Sequence, residues 1–292
     1  MQHPNLPNKE KYLKIRHGIK IDSIWQIIKK HIIGALHFMP LLGYPEFSSM
    51  DTVLDNALTD LDALEKGGID AIIIENNYDL PHKITVGHET VAAMTYLGSE
   101  LKKHTRLPLG VSVLWNDYRA ALSIAKVLGA EFVRVPVFVD SVSTDFGIIS
   151  AEPENVINYR KSIGAESVKI FADIQVKHAI MLNQRPIGES AEEAEQKGAD
   201  AIIVTGKWTG NAPEIGKLKE AKESVSIPVL IGSGLDQKNS LGLLKHADGA
   251  IVSTSLKEGL EVLSERNVKP YSYRISSKKV SELMAIIKKA YS

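Results

Sequence analysis

Glu75, Asp173 and His37 each stand at the end of a short aliphatic run, where a buried strand would hand a side chain to a polar surface. Two carboxylates in a partly desolvated site can divide general acid and general base work, because burial and like charge part their pKa values. An imidazole beside them can carry protons or hold substrate. Each has a structural reading as well: a salt-bridged network with Arg134 for the carboxylates, and a hydrogen-bonded core histidine for His37. Asn76, Asn116, Asp117, Asp145, Thr205 and Thr209 fall at other run ends and, with Arg134 and Lys177, make up the expected substrate contacts. Lys177 would serve as a Schiff-base amine if its pKa were depressed, although it sits four residues beyond Asp173. His178 is expected to support it from behind.

A second group points to an anion. Gly232-Ser233-Gly234 follows one aliphatic run, and Ser253-Thr254 follows the next and opens a polar turn. Backbone N–H groups at such turns cradle phosphate, and glycine admits the close approach of its oxygens. Ser253-Thr254 stands where a glycine is common, so that side of the cradle is expected to be less close. Thr205-Gly-Lys-Trp-Thr-Gly210 lacks P-loop spacing, which argues against a nucleoside triphosphate site. A divalent metal on Glu75, Asp173 and His37 stays open, but no His-x-x-x-His or Glu-x-x-His spacing supports zinc or iron. With no cysteine, the chain has no thiol nucleophile, disulfide or cysteine-held metal.

The elements that must position these residues announce themselves by a repeat. Gly67-Gly-Ile-Asp70, Gly129-Ala-Glu131, Gly164-Ala-Glu166 and Gly198-Ala-Asp200 each precede a Val/Ile-rich run, and His246-Ala-Asp248 is a fifth copy without the leading glycine. A capping glycine closes a helix, a short turn follows, and an unbroken apolar run then reads as a strand covered on both faces, hence a parallel sheet. Adding the runs at Ile32, Leu109 and Pro228, eight strands are predicted to begin near 32, 70, 109, 132, 168, 200, 228 and 248. Helical patterns lie between them at 53–66 (capped by Asp51), 120–128, 189–197 and 239–245, with a last helix at 276–290. Eight β/α units in 292 residues predict an α/β fold, a single (β/α)8 TIM barrel over 31–292, preceded by an N-terminal helical extension over 1–30. The rival doubly wound sheet lacks its early Gly-x-Gly-x-x-Gly. In a barrel the strand exits form the active site, and here every exit is polar.

Composition narrows the partners. Lys plus Arg and Asp plus Glu both number 35, a zero balance that argues against nucleic acid. No run approaches the length of a membrane span and no secretory leader is visible, so a soluble cytoplasmic protein, of the homo-oligomeric kind common among barrels, is the expectation.

Gly34-Ala-Leu-His37, Glu75-Asn76-x-x-Asp79, the stretch Leu109 to Asp117, Thr144-Asp145-x-Gly147, Phe171-Ala-Asp173 through Lys177-His178, Val204-Thr-Gly-x-x-Thr-Gly210 and Gly232-Ser-Gly234 together resemble the motifs of the BtpA family. The resemblance runs in order over about 32–260 and implies a ribulose-phosphate-binding type of barrel. It implies one of two functions: a role in photosystem I biogenesis, from which the family takes its name, or, as for SgcQ-type members, a nucleosidase-like activity. The chain departs from the family pattern at Ser112 and Pro136, where Asn is expected, and at Trp115, where Arg is expected, which puts the substrate in question. The reading that results is an enzyme acting on a small phosphorylated or ribosyl metabolite by hydrolysis, lysis or isomerisation, with no certain cofactor. The alternative is a non-catalytic biogenesis or stability factor.

Overall fold

In the computed structural model of the chain, the described residues are 30–259 and 270–291. The helical extension expected over 1–30 lies outside them, apart from Lys30. The order of elements is β1 (His31–His37), α1 (Met50–Gly67), β2 (Ala71–Glu75), α2 (His88–His104), β3 (Leu109–Ser112), α3 (Tyr118–Leu128) and β4 (Phe132–Val135). There follow β5 (Val142–Thr144), β6 (Gly147–Ile149), α4 (Pro153–Ser162), β7 (Lys169–Ile174), β8 (Ile180–Met181), α5 (Ile187–Gln196) and β9 (Ala201–Val204). The last are α6 (Ile215–Ser224), β10 (Val229–Ile231), α7 (Ser240–Leu244), β11 (Gly249–Val252), a short 3-10 turn (Thr254–Leu256) and α8 (Ser277–Tyr291). Eight of the strands close into a parallel barrel in the order β1-β11-β10-β9-β7-β4-β3-β2. This is the TIM barrel the repeat predicts.

Two apolar layers build it. Strand residues such as Ile32, Ile72, Val133 and Ile202 pack outward against the helices. Ile33, Ala35, Ala71, Ile73, Phe132, Phe171, Ala201, Ile203, Leu230 and Ile251 fill the interior. The Phe132 and Phe171 rings stack 4.4 Å apart there. Gly110 makes room for them, since a Cβ at that position would lie 2.1 Å from the Phe132 ring.

The acidic residue of the repeat has a role that its position alone did not announce. Asp70, Glu131, Asp200 and Asp248 each accept a hydrogen bond from the first N–H groups of the neighbouring strand, at Ile32, Leu109, Ile170 and Val229. Four carboxylates thereby clamp the end of the barrel opposite the strand exits.

Three local expectations are corrected. Ser49, not Asp51, caps α1, its hydroxyl accepting from Thr52 N, because Asp51 already lies within the first turn. The left-handed residue after α1 is Gly68 rather than Gly67. Asp145, placed at a run end, instead sits in the turn of a β5–β6 hairpin that pairs with β8 into a three-stranded sheet. Its turn is tied by Thr144 Oγ1, which donates to Gly147 O and accepts from Phe146 N. β4 stops at Val135, just before Pro136, whose ring would remove a ladder donor.

Candidate active site

Alternation along each strand fixes what reaches the mouth. Two residues beyond the last interior apolar position of each barrel strand stand His37, Glu75, Ser112, Arg134, Asp173, Thr205, Gly232 and Ser253. These eight form the top layer of the barrel. At its centre Arg134 makes a two-pronged contact with Asp173, Nε to Oδ1 and Nη2 to Oδ2, both at 2.8 Å. Its Nη1 lies 3.2 Å from Glu75 Oε1. The other oxygen of Glu75 lies 3.3 Å from His37 Nε2. All three charged groups are buried.

The electrostatics follow from that chain of contacts. Burial would raise the pKa of Glu75, but the His37 hydrogen bond and the Arg134 charge outweigh it and hold the pKa at about 2. Burial lowers the pKa of His37, and the Lys257 and Lys177 charges add to this against the pull of Glu75. The mouth therefore holds a carboxylate fixed in its charged form and an imidazole kept neutral. Among the described residues no group of three or more His, Asp or Glu side chains is placed to hold a metal ion. The cation between Glu75 and Asp173 is Arg134 itself.

Above this layer opens a cavity of about 860 Å³, bordered by His37, Glu75, Arg134, Lys177 and the turns after β10 and β11. The hairpin covers one side, where Asp145 and Phe146 reach the cavity and the Phe146 ring stands edge-on to His82. Lys177 enters from a loop held in an unusual backbone shape. Gln175 at φ 48° and His178 at φ 59° are both left-handed without being glycine, a state that persists only where the surroundings enforce it. Here they do: Asp140 accepts from Gln175 N, Thr205 Oγ1 accepts from Lys177 N, and His178 Nε2 contacts Thr209 Oγ1 at 2.8 Å. Arg185 and Ser190 in turn grip Asp140. Burial and the nearby Arg134 charge lower the Lys177 pKa to about 8, against the opposing pull of Glu75 and Asp173.

The two glycine-and-serine turns lie side by side. Ser255 Oγ donates to Leu235 O and ties one to the other. The N–H groups of Gly234, Leu235, Thr254 and Ser255 donate to no described residue, and all four residues border the cavity. Ser253 Oγ is buried there without a partner. Ser233 differs from its expected role, because its hydroxyl donates to Asn211 O and accepts from Gly206 N. Gly234 has φ +70°, and a Cβ would stand 2.2 Å from Ala212 N, so this glycine also lets the 206–212 loop settle on the turn.

Of the residues expected at the substrate, Arg134, Asp145, Lys177 and Thr209 border the cavity. Asn76, Asn116, Asp117 and Thr205 do not; each is committed to the scaffold. Asn76 joins Asp79 to the Leu114 backbone. Asn116 bonds both ways with the backbone of Val137. Asp117 caps α3 through Ala120 N and holds Val86 N. Ser112, named in the sequence only as a departure from the family pattern, takes its place in the top layer two residues beyond Gly110. Sequence reading passed over Lys279 of α8, which borders the cavity from a distant part of the chain.

The BtpA family model matches residues 28–289. The chain belongs to the BtpA family. An uncharacterized protein of Archaeoglobus fulgidus is 43% identical over 240 residues, covering 82% of this chain and 96% of that one. The photosystem I biogenesis protein BtpA of Synechocystis is 35% identical over 241 residues, covering 80% and 84%. Among solved structures, geranylgeranylglyceryl phosphate synthase of Thermoplasma acidophilum, in complex with its substrate sn-glycerol-1-phosphate, superposes with a TM-score of 0.56 at 15% identity, covering 91% and 96%. This last likeness shows the barrel fold alone. No helix among the described residues of this BtpA family member is long and apolar enough to cross a membrane.

Proposed function

We propose that this BtpA family member is an enzyme acting on a small phosphorylated or ribosyl metabolite, in a nucleosidase-like hydrolysis, a lysis or an isomerisation. The observation that carries the reading is the paired turn after β10 and β11, with four undirected N–H groups on residues that border one cavity and an unpartnered buried hydroxyl on Ser253, which also borders it. Donors without partners at a barrel's strand ends suit phosphate oxygens. Neutral His37, oriented by Glu75, is the proton carrier. Asp173 fixes Arg134, whose guanidinium offsets negative charge that develops on the substrate.

Calorimetric titration with inorganic phosphate and with ribose 5-phosphate tests the cradle. Binding is expected, and Ser253→Ala should weaken it by roughly ten-fold, the worth of one hydrogen bond to a charged group. Undetectable binding of both ligands, or binding indifferent to Ser253→Ala, would remove the basis for this reading. A second reading has its own observation. Ile148 and Ile180 flank Ser143 on the hairpin sheet at 63% and 71% exposure, an apolar strip through which a biogenesis factor would dock. If substituting both with Ser abolishes a cellular role while phosphate binding persists, the docking reading gains.

A further inference from the structure

We propose that Lys177 is a nucleophile that forms an imine with the aldehyde or ketone carbonyl of a phosphorylated substrate. The inference rests on the phosphate cradle proposed above and names the reacting group that substrate must carry.

Three observations place the amine. Lys177 borders the same cavity as the turns after β10 and β11. Its Nζ has no hydrogen-bond or ion-pair partner among the described residues, because Arg134 takes both oxygens of Asp173 and one of Glu75, and His37 takes the other. Other lysines at the cavity are engaged or exposed: Lys279 Nζ donates to Lys257 O, and Lys238 points to the surface. Third, the loop that carries it is held at two left-handed residues, Gln175 and His178, by bonds from Asp140, Thr205 and Thr209. That much fixation would be wasted on a lysine that only dangled in solvent. With the pKa near 8, the neutral amine at neutral pH is on the order of a hundred-fold more abundant than for an ordinary lysine.

The chemistry balances without a co-reactant. The amine lone pair attacks the carbonyl carbon, and the C–O double bond opens as the C–N bond forms. The proton shed by nitrogen passes to the carbonyl oxygen, giving a carbinolamine. That hydroxyl then leaves as water, with a second proton from nitrogen, and the C=N bond closes. His37, near enough to feel the Lys177 charge, is the imidazole on hand to carry these protons. Once protonated, the imine draws electrons from the neighbouring carbon, as an isomerase or a carbon–carbon lyase of a phosphorylated aldose or ketose requires.

Reductive trapping decides it. The full chain is incubated with glycolaldehyde phosphate and borohydride, and the adduct is located by peptide mass spectrometry. A single adduct on Lys177 is expected, with a rate that rises through about pH 8. Lys177→Gln and Lys177→Arg should lose the adduct while keeping phosphate binding, which also shows that both are folded. Unphosphorylated glycolaldehyde should label at least about ten-fold more slowly, since it lacks the anchoring group. Adducts scattered over surface lysines, or equal labelling of Lys177→Gln, would overturn the inference and leave the cradle standing wherever phosphate still binds. Equal trapping by both aldehydes, unaffected by inorganic phosphate, would instead overturn the cradle and this substrate class with it.

Discussion

Arg134 is the residue whose removal tests the electrostatic design of the mouth most directly. Arg134→Met keeps much of the side-chain length but leaves Glu75 and Asp173 as buried carboxylates with no guanidinium between them. In the wild type Glu75 has its pKa lowered from 4.5 to about 2. A folded-state pKa below the unfolded one contributes stability that is present above pH 4.5 and lost as pH falls toward 2; the shift is worth about 3 kcal/mol. Without Arg134 the His37 hydrogen bond is left to oppose burial with less help, so the Glu75 pKa moves back up and its charge costs more at neutral pH than in the wild type. The expected loss is about 3–5 kcal/mol at neutral pH, the usual penalty for breaking a buried pair from one side. It should shrink as pH is lowered through the acid range toward 2, where Glu75 takes up its proton in both proteins. Urea midpoints for both proteins across that range provide the assay, with the shift read through the dependence on denaturant. A loss below about 1 kcal/mol, typical of an exposed pair, or a loss that does not change with pH, would refute this account of the mouth.

Other substitutions separate scaffold from site. Lys177→Met should stabilise the fold at neutral pH by about 1–2 kcal/mol after allowance for partial exposure, since a lysine held near pKa 8 costs stability below that pH. The gain should fade as pH rises toward 10.5, and thermal melts at several pH values will show it. Asp117→Ala should cost about 1–2 kcal/mol in urea unfolding through the lost α3 cap and Val86 contact, with phosphate affinity unchanged. Gly234→Ala must adopt φ +70° and meets the Ala212 backbone, so it should displace the 206–212 loop, costing more than about 1 kcal/mol and weakening phosphate binding in the same titration.

The barrel was legible because its signal is short-range. The eight predicted strand starts fall within one residue of those observed, at 31, 71, 109, 132, 169, 201, 229 and 249. Unbroken Val/Ile runs have few other places to go than a sheet covered on both sides. The site was legible only as a set of strand exits. That Arg134 bonds two carboxylates 59 and 39 positions away depends on how neighbouring strands are offset, which the sequence of any one strand does not contain. Asn76, Asn116 and Asp117 sat at exits too, yet their short side chains went to nearby backbone groups, the competition that Asn and Asp usually win for the chain itself. Counting by two from the interior apolar residues would have separated them from the inward-facing eight.

The four acidic clamps bear on the order in which the ring comes together. They span only 38, 22, 30 and 19 positions, each joining strands that neighbour one another in the barrel. Such local links let the chain add one β/α unit after another quickly. The exception is the seam, where β11 pairs with β1 across more than half the chain. His37 stands on one side of that seam and Ser253 on the other. A ligand touching both would act as a latch on the last joint to close, so its binding should slow hydrogen exchange first in β1 and β11.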